Sequence, residues 1–525
     1  MIGSKTNPRS NDELFQKDDT MQSRHMTRRR FIKLAGAATG GALLGSRTAL
    51  SQSPMTMPQG PGSGSNAGGL APHGEPADYT LRIGTGLVEV GPQRILSTAT
   101  YNGQFPGPLL RLKEGRRVVV AIHNDTDTPE QLHWHGQFLP ADVDGAAEEG
   151  TPFIPAHGMR RIAFTPGPSG FRFYHTHLRA GPDLHAGQYG GQVGPVYIEP
   201  KHEPGAYDRE VFLTLKEFEP FFMRGGDMAM DFLSPAAIVP DLKEQAEKAE
   251  QGASSTPKGY EVGYRLLTIN GRMLGHGEPI SVKRGERVLF HILNGSATEI
   301  RSLALPGHTF KVVALDGNPV PTPVSVPVLW LGTAERVSAI VEMNHPGVWV
   351  LGDLADKDRS QGMGIVVEYA GRKGKPRWVK PAHSRWDYTR FGRAGAAVAP
   401  DEIIEMTFAK QPAAAEGFNL WTINSVPFDM GKMTAMFHLR RGRRYRLRMR
   451  NATDDIHPVH LHRHSFELTK IAGKSTSGVI KDVAMLGAYQ EMEVDFAADQ
   501  PGLTLFHCHM QIHMDYGFMA LFDCV

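Results

Sequence analysis

The sequence predicts an all-β chain of three related β-sandwich domains, and three observations carry that prediction. Glycine and proline number 58 and 37, a turn-rich composition that favours short strands over long helices. From Tyr79 onward, short alternating apolar runs are separated by turn signals. The third observation is an internal repeat. Asn102-Gly103 leads to Lys113-Glu114-Gly115-Arg116-Arg117 and a strand ending at Asn124. Asn270-Gly271 leads to Lys283-Arg284-Gly285-Glu286-Arg287 and a strand ending at Asn294. Asn424 leads to Arg440-Arg441-Gly442-Arg443-Arg444 and a strand ending at Asn451. In each copy nine residues separate the glycine from the closing asparagine. Three copies in 525 residues give domains of a size that folds as one unit.

Taken in order, residues 1–26 are polar and carry no packing pattern. Thr27-Arg28-Arg29-Arg30-Phe31-Ile32-Lys33 resembles the twin-arginine export signal. The Ala- and Gly-rich run that follows, Leu34 to Gly45, is too short to span a membrane. Residues 1–50 are therefore expected to be a signal peptide read by the twin-arginine machinery, cleaved near Ala49 after the protein has folded. Residues 51–78 form a Pro/Gly/Ser linker expected not to pack. The domains are expected at 79–200, 205–370 and 371–525, the middle one with an insertion over about 221–260. Residues 1–50 carry nine Lys and Arg against four Asp and Glu, so without them the net charge of +2 becomes −3. That near-neutral body gives no reason to expect nucleic acid or stable membrane insertion.

Counting from the closing asparagines separates the three copies. Nine and eleven residues on, the first has His133 and His135, the third His460 and His462, and the middle one Leu303 and Leu305. Five and seven residues after Gly170 and Gly502 come His175 with His177 and His507 with His509. The middle copy offers Gly352 and Leu354 after Gly347. On a strand, side chains two apart share a face, so each His-x-His presents its imidazoles together. Eight histidines at equivalent places predict one metal cluster clamped between the first and third domains, with the middle domain a spacer and a wall. Cys508, between His507 and His509, must face the other way. With His513 five residues on, it is half of a His₂Cys blue-copper site. A disulfide to Cys524, the other cysteine, would consume that thiolate, so both are expected reduced.

A family resemblance rests on four segments. They are His133-Trp134-His135-Gly136, His175-Thr176-His177, His457-Pro458-Val459-His460-Leu461-His462 and His507-Cys508-His509-x3-His513. Together they resemble the signatures of three-domain multicopper oxidases, which include laccases, ascorbate oxidase, bilirubin oxidase and bacterial cuprous oxidases. The resemblance runs from Tyr79 to Val525. It implies three consecutive cupredoxin-like Greek-key domains and four copper ions. A type 1 ion would take His457, Cys508 and His513, and a type 2 ion His133 and His460. A type 3 pair would take His135, His175, His177, His462, His507 and His509. Electrons from a small-molecule reductant would then travel through Cys508, His507 and His509, and four of them would reduce O₂ to two waters. Asp144 matches the family's acidic residue beside the cluster and is the candidate for supplying protons. Without the family it reads as a turn aspartate before Gly145, and Asp142 could play either part.

Two departures stand out. Phe518, ten residues after Cys508, stands where the family places its axial residue; a hydrocarbon there favours Cu(I) and raises the reduction potential. Met519 would face the wrong way. Arg463 replaces a glycine, and is expected at the rim of the type 1 site or in solvent. The reading is a periplasmic laccase-like oxidase of phenolic or aromatic-amine donors. One rival is a periplasmic cuprous oxidase for copper tolerance, favoured if Met223, Met228 and Met230 of the insertion lie over the type 1 site. Those methionines are otherwise apolar filler. The rival from another class is a non-enzymatic copper-binding protein of the same fold.

Overall fold

The computed structural model describes residues 69–71, 74–201, 206–224, 238–251, 258–395 and 398–525. The expected signal peptide, most of the linker, and Met228 and Met230 lie outside these residues.

The repeat maps directly onto the strands. Val118–Asn124, Arg287–Asn294 and Arg444–Asn451 end on the three asparagines, which are buried and turn the chain in the same way. Each Oδ1 accepts the N–H two residues on, from Thr126, Ser296 and Thr453. Each Nδ2 donates to loop carbonyls: Asn124 to Thr128 and Ile154, Asn294 to Glu299 and Leu331, Asn451 to Asp455 and Gly487. A second set, Asn102, Asn270 and Asn424, sits at φ of 54°, 52° and 51°, the left-handed region that asparagine tolerates. Their Oδ1 atoms accept from the N–H groups of Arg82, Thr214 and Thr407.

In the first copy, one sheet holds Tyr79–Gly91, Arg94–Tyr101, Val118–Asn124 and Met159–Phe164. A second holds Leu110–Lys113, His133–His135, Gly170–His175 and Val193–Glu199. Leu81, Val120 and Ile162 from one sheet meet Leu112, Tyr174 and Val196 from the other in a shared core, as in a sandwich. The middle and third copies share a 12-stranded sheet, continuous through the single pair Tyr260↔Phe418. The third copy's other sheet contains His457–Leu461, Val483–Leu486, Gly502–Cys508 and Met519–Cys524. Alternation decides which face is buried: Tyr445, Leu447 and Met449 point to the core, while Arg446, Arg448 and Arg450 pair across the strand with Asp495, Glu493 and Glu491.

The end of the linker departs from expectation. Gly69 and Leu70 pair with Ala163 and Ile162, and the Asp78 N–H donates to the Val119 carbonyl, because that sheet edge offers unpaired main chain. Within the insertion, Pro240–Gln251, rich in Glu, Lys, Ala and Gln, forms a helix. Both cysteines are free. No described helix is long and apolar enough to cross a membrane.

Candidate metal centre

Strand pairing brings the histidines together. His133 lies opposite His175 in one sheet, and His460 opposite His507 in another. The two halves meet ring on ring, His135 on His460 with centroids 3.8 Å apart and His133 on His462 at 4.0 Å. All eight histidines are buried. Their ring nitrogens form groups whose members lie within 4.8 Å of one another: His135, His175 and His509; His177, His462 and His507; and His133 and His460 with His135. Leu303 and Leu305 of the middle copy join the apolar core instead.

The outer ring nitrogens face acceptors. His175, His460 and His507 point Nδ1 at the carbonyls of Thr176, Asp482 and Cys508, at 2.7, 2.7 and 2.9 Å. His462 Nδ1 and His133 Nδ1 each lie 3.0 Å from Asp144 Oδ2. His135 Nε2 is 3.1 Å from Asp482 Oδ1. Carbonyls and carboxylates only accept, so the protons are assigned to these nitrogens and the inward ones carry lone pairs. Among the described residues, His133 Nε2, His135 Nδ1, His175 Nε2, His460 Nε2 and both nitrogens of His509 have no hydrogen-bond partner. His462 Nε2 and His507 Nε2 face each other at 3.1 Å. Two lone pairs that close in a dry interior repel unless a cation stands between them, and unpartnered buried nitrogens are costly. Burial also holds His135, His175, His460, His462, His507 and His509 well below the usual imidazole pKa. Neutral imidazoles aimed at one another fit copper.

Cys508 faces the opposite side, as alternation predicts. Its Sγ lies 3.4 Å from His513 Nδ1 and 3.6 Å from His457 Nδ1, and those two nitrogens are 3.2 Å apart. His457 Nε2 contacts Thr453 Oγ1 at 2.8 Å, which leaves Nδ1 as the donor to a metal. Trp421 covers His513 at 4.0 Å between ring centroids, and Phe518 covers His457 at 4.7 Å. Burial raises the Cys508 thiol and pushes His513 down to about 3; a bound cation reverses the first effect by taking the thiolate. His513 also lines a cavity of about 640 Å³, with Met510, Met223, Glu261, Glu299 and Asp455. Burial beside Asp455 pushes Glu261 up to about 8.

Asp144 is buried between two cage histidines whereas Asp142 is exposed, which distinguishes the two candidates. Arg463 is neither at a rim nor in solvent. It is buried and donates to the carbonyls of Leu139, Pro501 and Leu503, because a guanidinium with enough carbonyl acceptors can replace its water. Three carboxylates escape motif reasoning. Glu148 Oε2 lies 3.6 Å from His177 Nδ1, Glu149 Oε1 lies 3.4 Å from His462 Nδ1, and Asp482 contacts His135. The signal for Asp482 is Lys481-Asp482 inside the otherwise apolar run Val479 to Leu486, a charge pair that must be buried.

Three family models described as multicopper oxidase match the chain, over residues 87–203, 240–366 and 398–524. The chain is similar to multicopper oxidase MmcO of Mycobacterium tuberculosis, 28% identical over 98% of this chain and 99% of that protein. It is 30% identical to copper resistance protein A of Pseudomonas syringae pv. tomato over 64% of this chain and 55% of that protein. The crystal structure of a laccase from Botrytis aclada matches with a TM-score of 0.67 at 19% identity, covering 85% of this chain and 87% of that one. That likeness shows the fold, three consecutive cupredoxin-like domains. The chain belongs to the multicopper oxidases, oxidoreductases that carry type 1, type 2 and type 3 copper and use O₂ as acceptor.

Proposed function

We propose that the chain is an exported, laccase-like oxidase that removes single electrons from phenolic or aromatic-amine donors beside His513 and uses them to reduce O₂ to water. The observation that carries this reading is the cavity of about 640 Å³ with His513 in its wall, within the size range of small-molecule sites. In this reading His457, Cys508 and His513 hold the type 1 ion, and His133 and His460 the type 2 ion. The type 3 pair takes His135, His175 and His509 on one side and His177, His462 and His507 on the other.

Bound there, copper supplies one-electron chemistry at the thiolate and O₂ reduction in the cage. The remaining work falls to side chains. A phenol loses a proton on oxidation, and Asp455 in the cavity wall is a carboxylate placed to accept it. An electron arriving at Cys508 has a through-bond path, since its main chain runs directly into His507 and His509. Trp421 and Phe518 cover His513 and His457 beside the buried Cys508. Asp144 orients His133 and His462 and is placed to pass protons into the cage. The Thr27–Lys33 segment supports export of the folded protein by the twin-arginine route to the periplasm.

Met223 and Met510 on the same cavity wall, with the likeness to a copper resistance protein, favour a second reading, Cu(I) oxidation, since thioethers select Cu(I). Oxygen uptake by the copper-loaded protein, given dimethoxyphenol and separately a stabilised Cu(I) complex, separates the two. We expect the phenol to be the faster donor, with its rate unchanged in Met223→Leu. Uptake mainly with Cu(I), lost in Met223→Leu, would make copper tolerance the function, and no uptake from a fully blue protein would overturn both.

A further inference from the structure

The middle domain supplies no histidine to the cage, yet it reaches the residue that holds two of them. Asp482 lies between the strands Lys474–Lys481 and Val483–Leu486. Its carboxylate accepts from His135 Nε2 at 3.1 Å and its main-chain carbonyl accepts from His460 Nδ1 at 2.7 Å. These histidines, one from the first domain and one from the third, are the pair stacked at 3.8 Å. One residue thus orients both rings. Two arginines grip the same carboxylate. Arg336, from the middle domain, donates Nη1 and Nη2 at 2.6 Å each, and Arg172, from the first, donates Nη1 at 3.1 Å. All three side chains are 0% exposed.

Arg336 is itself fixed. Its Nη1 donates to the Ala334 carbonyl, and the Asp316 carboxylate accepts the main-chain N–H groups of Arg336, Asp482 and Val483. Lys481 pairs with Asp316 at 2.8 Å and Glu335 at 3.0 Å, and Glu335 accepts from the Tyr388 hydroxyl at 2.5 Å. Gly136, at φ +78°, makes room for the junction, since a Cβ there would stand 2.6 Å from Asp482 Oδ2 and 2.8 Å from Arg336 Nη2.

A carboxylate in a dry core stays ionised only when it is paired and hydrogen-bonded, and a two-pronged guanidinium fixes its plane as well as its charge. An ionised, oriented Asp482 accepts the Nε2 proton of His135, which turns His135 Nδ1 into the inward donor. That Nδ1 is the atom with no partner.

We propose that Arg336 and Asp482 are positioning residues of the histidine cage: Arg336, from the domain without ligands, orients Asp482, which fixes His135 and His460 as metal donors. The middle domain is then a working part of the cage and more than a spacer. The inference rests on the cage holding copper. The thiolate site serves as a separate readout, because none of these hydrogen bonds reaches His457, Cys508 or His513.

The test compares Asp482→Asn and Arg336→Lys with Tyr388→Phe, which alters the same network but touches neither histidine. Each full-length protein is titrated with copper while copper content, the blue thiolate band and the paramagnetic resonance signal of the type 2 ion are followed. In Asp482→Asn and Arg336→Lys we expect the blue band to be retained and cage affinity to fall about 10–100-fold, read as a lower copper content at the same free copper. Tyr388→Phe is expected to keep both. Full cage occupancy in Asp482→Asn, or equal loss in Tyr388→Phe, overturns the proposal. So does an absence of blue protein from Asp482→Asn and Arg336→Lys when Tyr388→Phe yields it, because the pair would then act on folding and not on the cage.

Discussion

Phe518 packs on the thiolate site, and we propose that it tunes how readily that site accepts an electron. Its ring lies 4.7 Å from those of His457 and Phe408, so it offers hydrocarbon and no donor atom beside His457. Two nitrogens and a sulfur behind a dry wall favour Cu(I). Phe518→Met would put a thioether there, and we predict a lower type 1 reduction potential, by about 59 mV for each tenfold change in the Cu(II)/Cu(I) preference. Redox titration of the blue band measures it, and an unchanged or higher potential contradicts the assignment. This residue is legible in the sequence because it sits on the chain that leads out of Cys508 and His513, so counting finds it. Thr453 and Trp421, which fix and cover the two histidines, are not legible, because they come from other segments that only folding brings near. Arg463 shows the converse limit. An arginine in a sequence reads as exposed, and only the carbonyls of Leu139, Pro501 and Leu503 make its burial possible.

At the scale of the element, the period-two geometry of strands does most of the functional sorting. His507 and Cys508 end one strand and His509 follows directly, its N–H still donating to the Pro458 carbonyl, so His507 and His509 reach the cage and Cys508 the opposite face. That register can be read from sequence, since apolar alternation leads into the motif. The repeated asparagines are legible as spacing, but their role is not, because their partners are loop carbonyls of other segments. Asn294→Ala would strip hydrogen bonds from Glu299, Leu331 and Ser296, a loss worth roughly 1–3 kcal/mol. We predict a lower unfolding midpoint in denaturant with the blue band intact, since this copy of the turn holds no metal ligand. A stability equal to wild type would show that the asparagine is not what secures the strand end.

At the scale of the whole molecule, the cage draws its histidines from two domains and touches the third. The cage closes where His133 and His135 of the first domain stack on His462 and His460 of the third. The middle domain enters through Arg336, Asp316 and a sheet continuous with the third. The clamp is legible in the sequence, because histidines recur at equivalent places in two copies and are missing from one. The middle domain reads there as a spacer, because buried ion pairs such as Arg336 with Asp482 leave no periodic trace. In the proposed reaction one chain gathers single electrons at His513 and delivers four of them to each O₂. The measurement that tests it most directly is the ratio of oxygen consumed to phenol oxidised by the fully copper-loaded protein, with peroxide assayed in the same vessel. We predict four one-electron oxidations per O₂ and no accumulated peroxide. Two oxidations per O₂ with peroxide accumulating would contradict it.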